Sequence, residues 1–245
     1  MAFTAQDIKN LRAQTGCGMM DCKKALTESG GDIEKAVAYL REKGLAAAQK
    51  KASRIAAEGM VYASTINNVG VVVEVNAETD FVAKNEMFQN FVKDIANVVA
   101  NENPADVDAL LACKLGDDTV EAVLKNNILV IGENMKIRRF EKVITDNGFV
   151  ESYLHGGGRI GVLVEMESDV VNDIAKEAAK NIAMQVAAIA PKYLNRDEIS
   201  QEYIEKETEI LKTQAMNEDS GKPEHIIDKI VVGRLNKELK AVSLV

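Results

Sequence analysis

Apolar positions recur at helical spacing in the first 44 residues and then switch to the alternation of strands. Thr4-Ala5-Gln6-Asp7 has the form of a capping box, its hydroxyl placed to accept an early helix N–H and Asp7 favoured by the dipole. Ile8 and Leu11, with Ala5, then share a face, and the spacing predicts a first helix that stops at Thr15-Gly16. A second is expected from Met19 to Ser29 with Met20, Ala25 and Leu26 inward. Met19 and Met20 cannot both face a core, because neighbours on a helix differ by about 100°. A third, capped by Asp32, carries Ile33, Ala36, Val37 and Leu40 on one stripe and is expected to end at Gly44. Residues 1–45 thus form a small three-helix module suited to presenting a surface. Residues 46–58, full of Ala and Lys, read as a helical linker stopped by Gly59.

Alternation begins at Met60–Thr65, turns at Asn67-Asn68 and returns through Val69–Val75. A helical face follows in Phe88, Phe91, Val92, Ile95, Val98 and Val99, then short helices to Leu124 and a strand over Lys136–Val143. The hairpin pattern then recurs: Gly148–Leu154 and Ile160–Met166 repeat it, Ile160-Gly161 matching Val69-Gly70. Ile174, Ala178, Ile182, Val186 and Ile189 mark a following helix, ended by Pro191. Two further helical stretches, 197–218 and 223–240, carry complementary apolar faces and read as an antiparallel hairpin or coiled coil. The fold expected is α+β: a three-helix module, two duplicated subdomains of small antiparallel sheet covered by helices (59–145 and 146–245), and a helical hairpin. The second copy shows no counterpart of the third strand, which would leave a sheet edge open or mean that the natural chain continues.

The stretch Glu78-Thr79-Asp80-Phe81-Val82-Ala83-Lys84-Asn85 carries a large ring where a strand hands over to a helix, a place that favours small polar residues. Phe81 can be a staple under the helix or a wedge for a partner. The second copy reads Glu167-Ser168-Asp169-Val170-Val171; losing the aromatic while keeping the scaffold favours the wedge.

Composition narrows the classes further. A net charge of −8 disfavours a nucleic-acid coat or an anionic membrane surface, since phosphate binding needs clustered cations. Cys17, Cys22 and Cys113 lack metal or disulfide spacing and read as reduced thiols. The beginning of the sequence has no basic and apolar leader, and no apolar run approaches the roughly 18 residues of a membrane span; a cytoplasmic location is expected. Gly156-Gly157-Gly158-Arg159-Ile160-Gly161 fits a dinucleotide pattern but joins two strands, so no helix N-terminus would meet a phosphate. His155 and His225 have no acid–base partner at a suggestive spacing. Without a nucleophile, metal ligands or a cofactor loop, the sequence points to a protein that acts by binding, not to an enzyme, and to neither a cofactor nor a directly bound nucleotide.

Four segments in order resemble the bacterial elongation factor Ts family: Leu11–Gly16 with Gly18–Leu26, Glu78–Lys84, Ile131–Asn134, and His155-Gly156 with Arg159–Val162. The resemblance implies a guanine nucleotide exchange factor for the translational GTPase elongation factor Tu, bound 1:1 or higher. It implies that the three-helix module is ubiquitin-associated-like and docks on the GTPase through Arg12, Met19, Met20 and Lys23. It further implies that Thr79, Asp80, Phe81 and Val82 press beside the partner's magnesium and phosphate site, Phe81 as wedge and Asp80 disturbing magnesium coordination. His155 and Gly156 match the family's second contact region. A passive adaptor, binding without remodelling its partner, is the alternative.

Overall fold

The computed structural model describes residues 3–218 and 221–245. Contacts divide the chain into two compact units, Met1–Lys180 and Asn181–Val245.

In the first unit, α1 (Ala5–Thr15) begins with the reciprocal bonds of a capping box between Thr4 and Asp7 and ends at Gly16, whose φ of 69° supplies the left-handed cap. α2 (Met19–Glu28) buries Cys22, Ala25 and Leu26. Met20, expected inward, is instead 74% exposed, because the smaller Cys22 takes the inner position one half-turn on. α3 runs Ile33–Lys51 and passes straight through Gly44. Gly44 is buried, and a Cβ there would lie 3.5 Å from the carbonyl oxygen of Lys125. Gly44 is therefore not a stop: it lies inside α3 and faces a neighbouring helix, α7 (Val120–Ile131), at a distance where a Cβ would make an ordinary contact. The expected helical linker is thus the last part of α3 followed by a short non-helical segment. Gly59 lies inside the first strand rather than ending a helix, at a φ of 130° where a Cβ would sit 2.1 Å from Val75 O.

β1 (Glu58–Ile66) and β2 (Val69–Ala77) form an antiparallel hairpin whose turn residues Asn67 and Asn68 both have positive φ, 51° and 64°. β5 (Met135–Ile144) adds to β2, giving the order β1-β2-β5. Between them come α4 (Asp80–Ala83), α5 (Glu86–Glu102), α6 (Val107–Ala112), the two-residue pair β3 (Lys114–Leu115) and β4 (Asp118–Thr119), and α7. Alternation on β2 turns Val71, Val73 and Val75 toward the main core with Phe88, Val92, Ile95 and Val99 of α5. A bulge at Glu74/Val75 makes Arg138 the extra residue of β5, and both Arg138 (3.1 Å) and Arg139 (2.7 Å) reach the Glu74 carboxylate.

The opposite face of that sheet receives the second hairpin, β6 (Gly148–His155) and β7 (Ile160–Glu167), which forms a two-stranded sheet of its own. The duplication is visible in the fit. A Cβ on Gly70 would lie 2.4 Å from Val150 Cγ1, and a Cβ on Gly161 would lie 2.6 Å from Val61 Cγ1. Val61 and Val150 each stand two residues after a positive-φ glycine, Gly59 and Gly148. Each hairpin therefore inserts a valine into the space its partner leaves by having no side chain. Thr65 Oγ1 donates to Val150 O at 2.9 Å and the Val61 N–H to Gly158 O at 2.7 Å, tying the two hairpins at both ends.

α8 (Asp173–Ile189) crosses from one unit to the other. Its buried positions are Ala179 and Ala183, while Ile174 and Ile189 of the expected face are exposed.

In the second unit, a 3-10 turn (Arg196–Glu198) precedes α9 (Gln201–Glu218), so the helix begins later than position 197. α10 (Glu224–Val242) follows Pro223. Ile199, Leu239 and Val242 form one cluster, Ala215, Ile227 and Val231 another, and Lys212 lies 3.6 Å and 3.5 Å from Glu224 and Asp228. Asp219 and Ser220 of the connecting segment lie outside the described residues.

Gly161→Ala is expected to lower stability by about 1–3 kcal/mol, the usual cost of overpacking. Adding Val61→Ala, which removes the clashing Cγ1, should restore part of the loss; thermal unfolding of the three variants checks it.

Candidate partner interface

The strand-to-helix stretch is held on both sides. Gly132, at a φ of 90°, ends α7 and turns Glu133 and Asn134 toward the end of β2. The Glu133 carboxylate accepts the Thr79 N–H at 3.0 Å and the Thr79 hydroxyl at 2.7 Å. In return Glu78 Oε1 accepts the Asn134 N–H at 2.5 Å and lies 3.4 Å from the Arg54 guanidinium. The Asn134 side-chain amide donates to Arg54 O at 2.8 Å. Two acidic side chains thus exchange bonds across two loops, each satisfying backbone groups that the end of a strand leaves open. Downstream, the Asn85 side chain accepts the Met87 and Phe88 N–H groups and caps α5.

Between these anchors α4 makes a single turn. Val82 is 7% exposed and joins the main core, while Phe81, one position earlier, is 79% exposed. The helical step of about 100° between neighbours explains the contrast: with Val82 drawn inward, Phe81 points to solvent. The staple reading is therefore excluded for Phe81, and Val82, expected to touch a partner, serves as the inward anchor. Asp80 pairs with Lys84 at 2.7 Å, and Lys84 Nζ stands 6.0 Å from the centre of the Phe81 ring. The Lys84 hydrogen bond and charge, with a smaller contribution from Arg159, hold the Asp80 carboxyl below its usual range.

An open groove of about 580 Å³ lies between α4, the start of β1 and the Gly-rich turn; Asp80, Lys84, Glu74, Gly156 and Arg159 line it. Gly156, Gly157 and Gly158 all have positive φ (61°, 68° and 92°), so they form a hairpin turn with no helix behind it. His155 is exposed beside this turn and shares a 3.0 Å hydrogen bond with the Tyr153 hydroxyl. Asp80 and Gly156 are therefore brought to one groove. Arg12, Met19, Met20 and Lys23 are exposed on α1 and α2 and do not line it.

The second copy holds its corresponding segment differently. Ser168 Oγ accepts the Val170 N–H at 3.1 Å and donates to Val170 O at 3.0 Å, giving a local turn in place of the α4 helix. Val170 is exposed, but no ring projects there. Sequence reasoning missed Glu133 and Asn134 as the buttress; the signal was a helix-ending glycine followed directly by an acid and an amide.

Among the described residues no group of three or more His, Cys, Asp or Glu side chains could hold a metal ion, and no helix is long and apolar enough to cross a membrane.

The family model described as "Elongation factor TS" matches residues 78–245, and so begins at Glu78 of the buttressed stretch. The chain belongs to the elongation factor Ts family. It is similar to elongation factor Ts of Clostridium perfringens, 54% identical over 245 residues, which spans 99% of this chain and 80% of the relative. Similar matches are those of Clostridioides difficile, at 54% identity, and Clostridium novyi, at 53%, with the same coverage of both chains. As a member of the elongation factor Ts family, the protein is a translation elongation factor.

Two outcomes follow from this geometry. Glu133→Ala removes both acceptors of Thr79 and is expected to raise amide exchange at Thr79 and Asp80 by about tenfold, while protection in the β1-β2 hairpin stays unchanged. Glu74 is raised by burial, but its hydrogen bonds from Arg139 and Asn76 and the charges of Arg139 and Arg138 outweigh this and leave its carboxyl below the usual range. A depressed folded value gives stability that is present above the unfolded value and is lost as pH falls through the folded one. Unfolding of Glu74→Gln should accordingly show a deficit at neutral pH that closes as the pH falls below the usual carboxylate range.

Proposed function

We propose that this protein is a guanine nucleotide exchange factor for the GTPase elongation factor Tu, acting by binding and not by covalent catalysis. The observation that carries the reading is Phe81, 79% exposed on a turn whose neighbours are fixed. An exposed aromatic on a rigid base is a preorganised anchor: it loses little conformational freedom on binding, and burying it in a partner recovers its hydrophobic contribution. Thr79, Asp80 and Phe81 form the element that enters the partner beside its magnesium and phosphate site, with Val82 as its root. Asp80 places a carboxylate where it competes for the cation or its ligands. Loss of magnesium leaves the GDP phosphates less compensated, and the nucleotide departs faster.

Arg12, Met19, Met20 and Lys23 dock the module on the GTPase, the exposed thioethers supplying adaptable apolar contact and the cations the steering. His155 and Gly156 contact the partner from the other side of the groove. Together these surfaces provide the binding free energy that the exchange consumes; a thousandfold faster release needs about 4 kcal/mol. By linkage, bound nucleotide weakens the grip on the GTPase by the same factor.

Release of fluorescent GDP from elongation factor Tu tests the proposal. Phe81→Ala should reduce the acceleration by about 30-fold, corresponding to the loss of an aromatic hot spot of roughly 2 kcal/mol. Undiminished acceleration by the mutant removes the wedge, and stoichiometric binding with unchanged GDP release by the wild type would leave a passive adaptor.

A further inference from the structure

Successive residues of α7 belong to different cores. Ile128 and Ile131 pack in the main core, whereas Leu129 and Val130, between them in sequence, pack into the cluster of the three-helix module around Leu11, Leu26 and Leu40. A helix turns about 100° per residue, so 128 and 131 share one face and 129 and 130 the opposite one. The module therefore completes its interior with two side chains from a helix outside it. Polar contacts close the same joint: the Asn126 side-chain amide donates to Thr15 O at 3.5 Å, Lys51 at the end of α3 donates to Ile128 O at 3.4 Å, and Arg41 pairs with Asp118 at 2.8 Å.

The joint leads directly to the strand-to-helix stretch. Glu133, which accepts both Thr79 groups, follows Val130 by three residues, and Asn134, whose N–H donates to Glu78, is itself bonded to Arg54 O three residues past the end of α3. α3 and α7 thus connect the module that carries Met19 and Met20 to the loop that fixes Phe81. A module tethered by chain alone would leave its distance from the ring free; one seated on α7 sets it.

We propose that Leu129 and Val130 are positioning residues, which hold the exposed face of α1 and α2 at a fixed span from Phe81 so that the GTPase meets both as one rigid two-point ligand. Because the role belongs to the exchange reaction, it rests on the function proposed above. Two contacts on one frame bind with a high effective concentration and little left to order, and a loose joint dilutes that advantage. The module lies apart from the Thr79–Phe81 element, so its contribution is felt alike before and after the nucleotide leaves. Loosening it therefore weakens assembly of the complex and spares the release step.

Two variants open the joint by different means. Leu129→Ala/Val130→Ala empties the seat. Gly44→Phe leaves the module's own cluster intact but forces α3 from α7, since a Cβ at 44 would already lie 3.5 Å from Lys125 O and 3.8 Å from Leu129 Cδ2, with no room beyond it for a ring. In 15N relaxation of the free protein, the wild-type module should tumble with the β1-β2-β5 sheet, and in Gly44→Phe it should tumble faster than the sheet while its own resonances stay dispersed. In fluorescent-GDP release from elongation factor Tu, both variants should raise the half-maximal concentration about tenfold and leave the maximal rate within about twofold of wild type. Leu129→Met, which keeps the volume, should stay within about twofold of wild type in both quantities. No acceleration by the wild type would sink the exchange reading and this role with it. With an active wild type, a module that already tumbles apart from the sheet, an unchanged half-maximal concentration in Gly44→Phe, or a lowered maximal rate in place of a raised half-maximal concentration would overturn the assignment alone.

Discussion

The fold depends on two contacts in which a valine occupies the space of a missing side chain. Val150 seats on Gly70 and Val61 on Gly161, so the two hairpins approach more closely than any pair of side chains would allow. Because β2 alternates, one of its faces serves this joint through Gly70 and Val72 while the other closes the main core through Val71, Val73 and Val75. The joint also brings the Gly156–Arg159 turn to the start of β1, where Val61 N–H meets Gly158 O at 2.7 Å. Without it, the groove beside α4 would have only one wall.

On this frame the strand-to-helix stretch divides its tasks among adjacent residues. Glu78 and Thr79 are bonded to Asn134 and Glu133, Val82 is buried, and Asn85 caps the next helix. Phe81 is the large apolar side chain left outside. Leaving a phenylalanine exposed forgoes about 1.5–3 kcal/mol of burial, and the surrounding hydrogen bonds keep it from collapsing onto the core to recover that energy. Among the repeated elements, only the first copy has this arrangement; the second, with Ser168 turning back on Val170, keeps the hairpin and omits the projecting ring.

Much of this was legible in the chain because local rules acted alone. The capping box at Thr4, the paired asparagines at 67 and 68, the duplicated Gly-Val pattern and the facing stripes of α9 and α10 each follow from residue type and period. The failures share a cause, which is tertiary packing overriding local preference. Gly44 reads as a helix stop but lies buried inside α3 against α7; Met20 reads as core, but Cys22 fits the interior of the module better; the large residues of α8 lose the buried face to Ala179 and Ala183. The buttress was hidden for another reason. Glu133 lies 54 residues from Thr79, and nothing in periodicity links an acid after one helix to a hydroxyl after one strand.

The central claim is that Glu133 serves exchange by holding Phe81 in place. A double-mutant cycle on GDP release from elongation factor Tu, using Phe81→Ala, Glu133→Ala and the pair, tests it most directly. If the buttress works through the ring, each single change slows release and adding Glu133→Ala to Phe81→Ala costs nothing further. Losses that multiply independently, or a Glu133→Ala protein as active as wild type, would contradict the account.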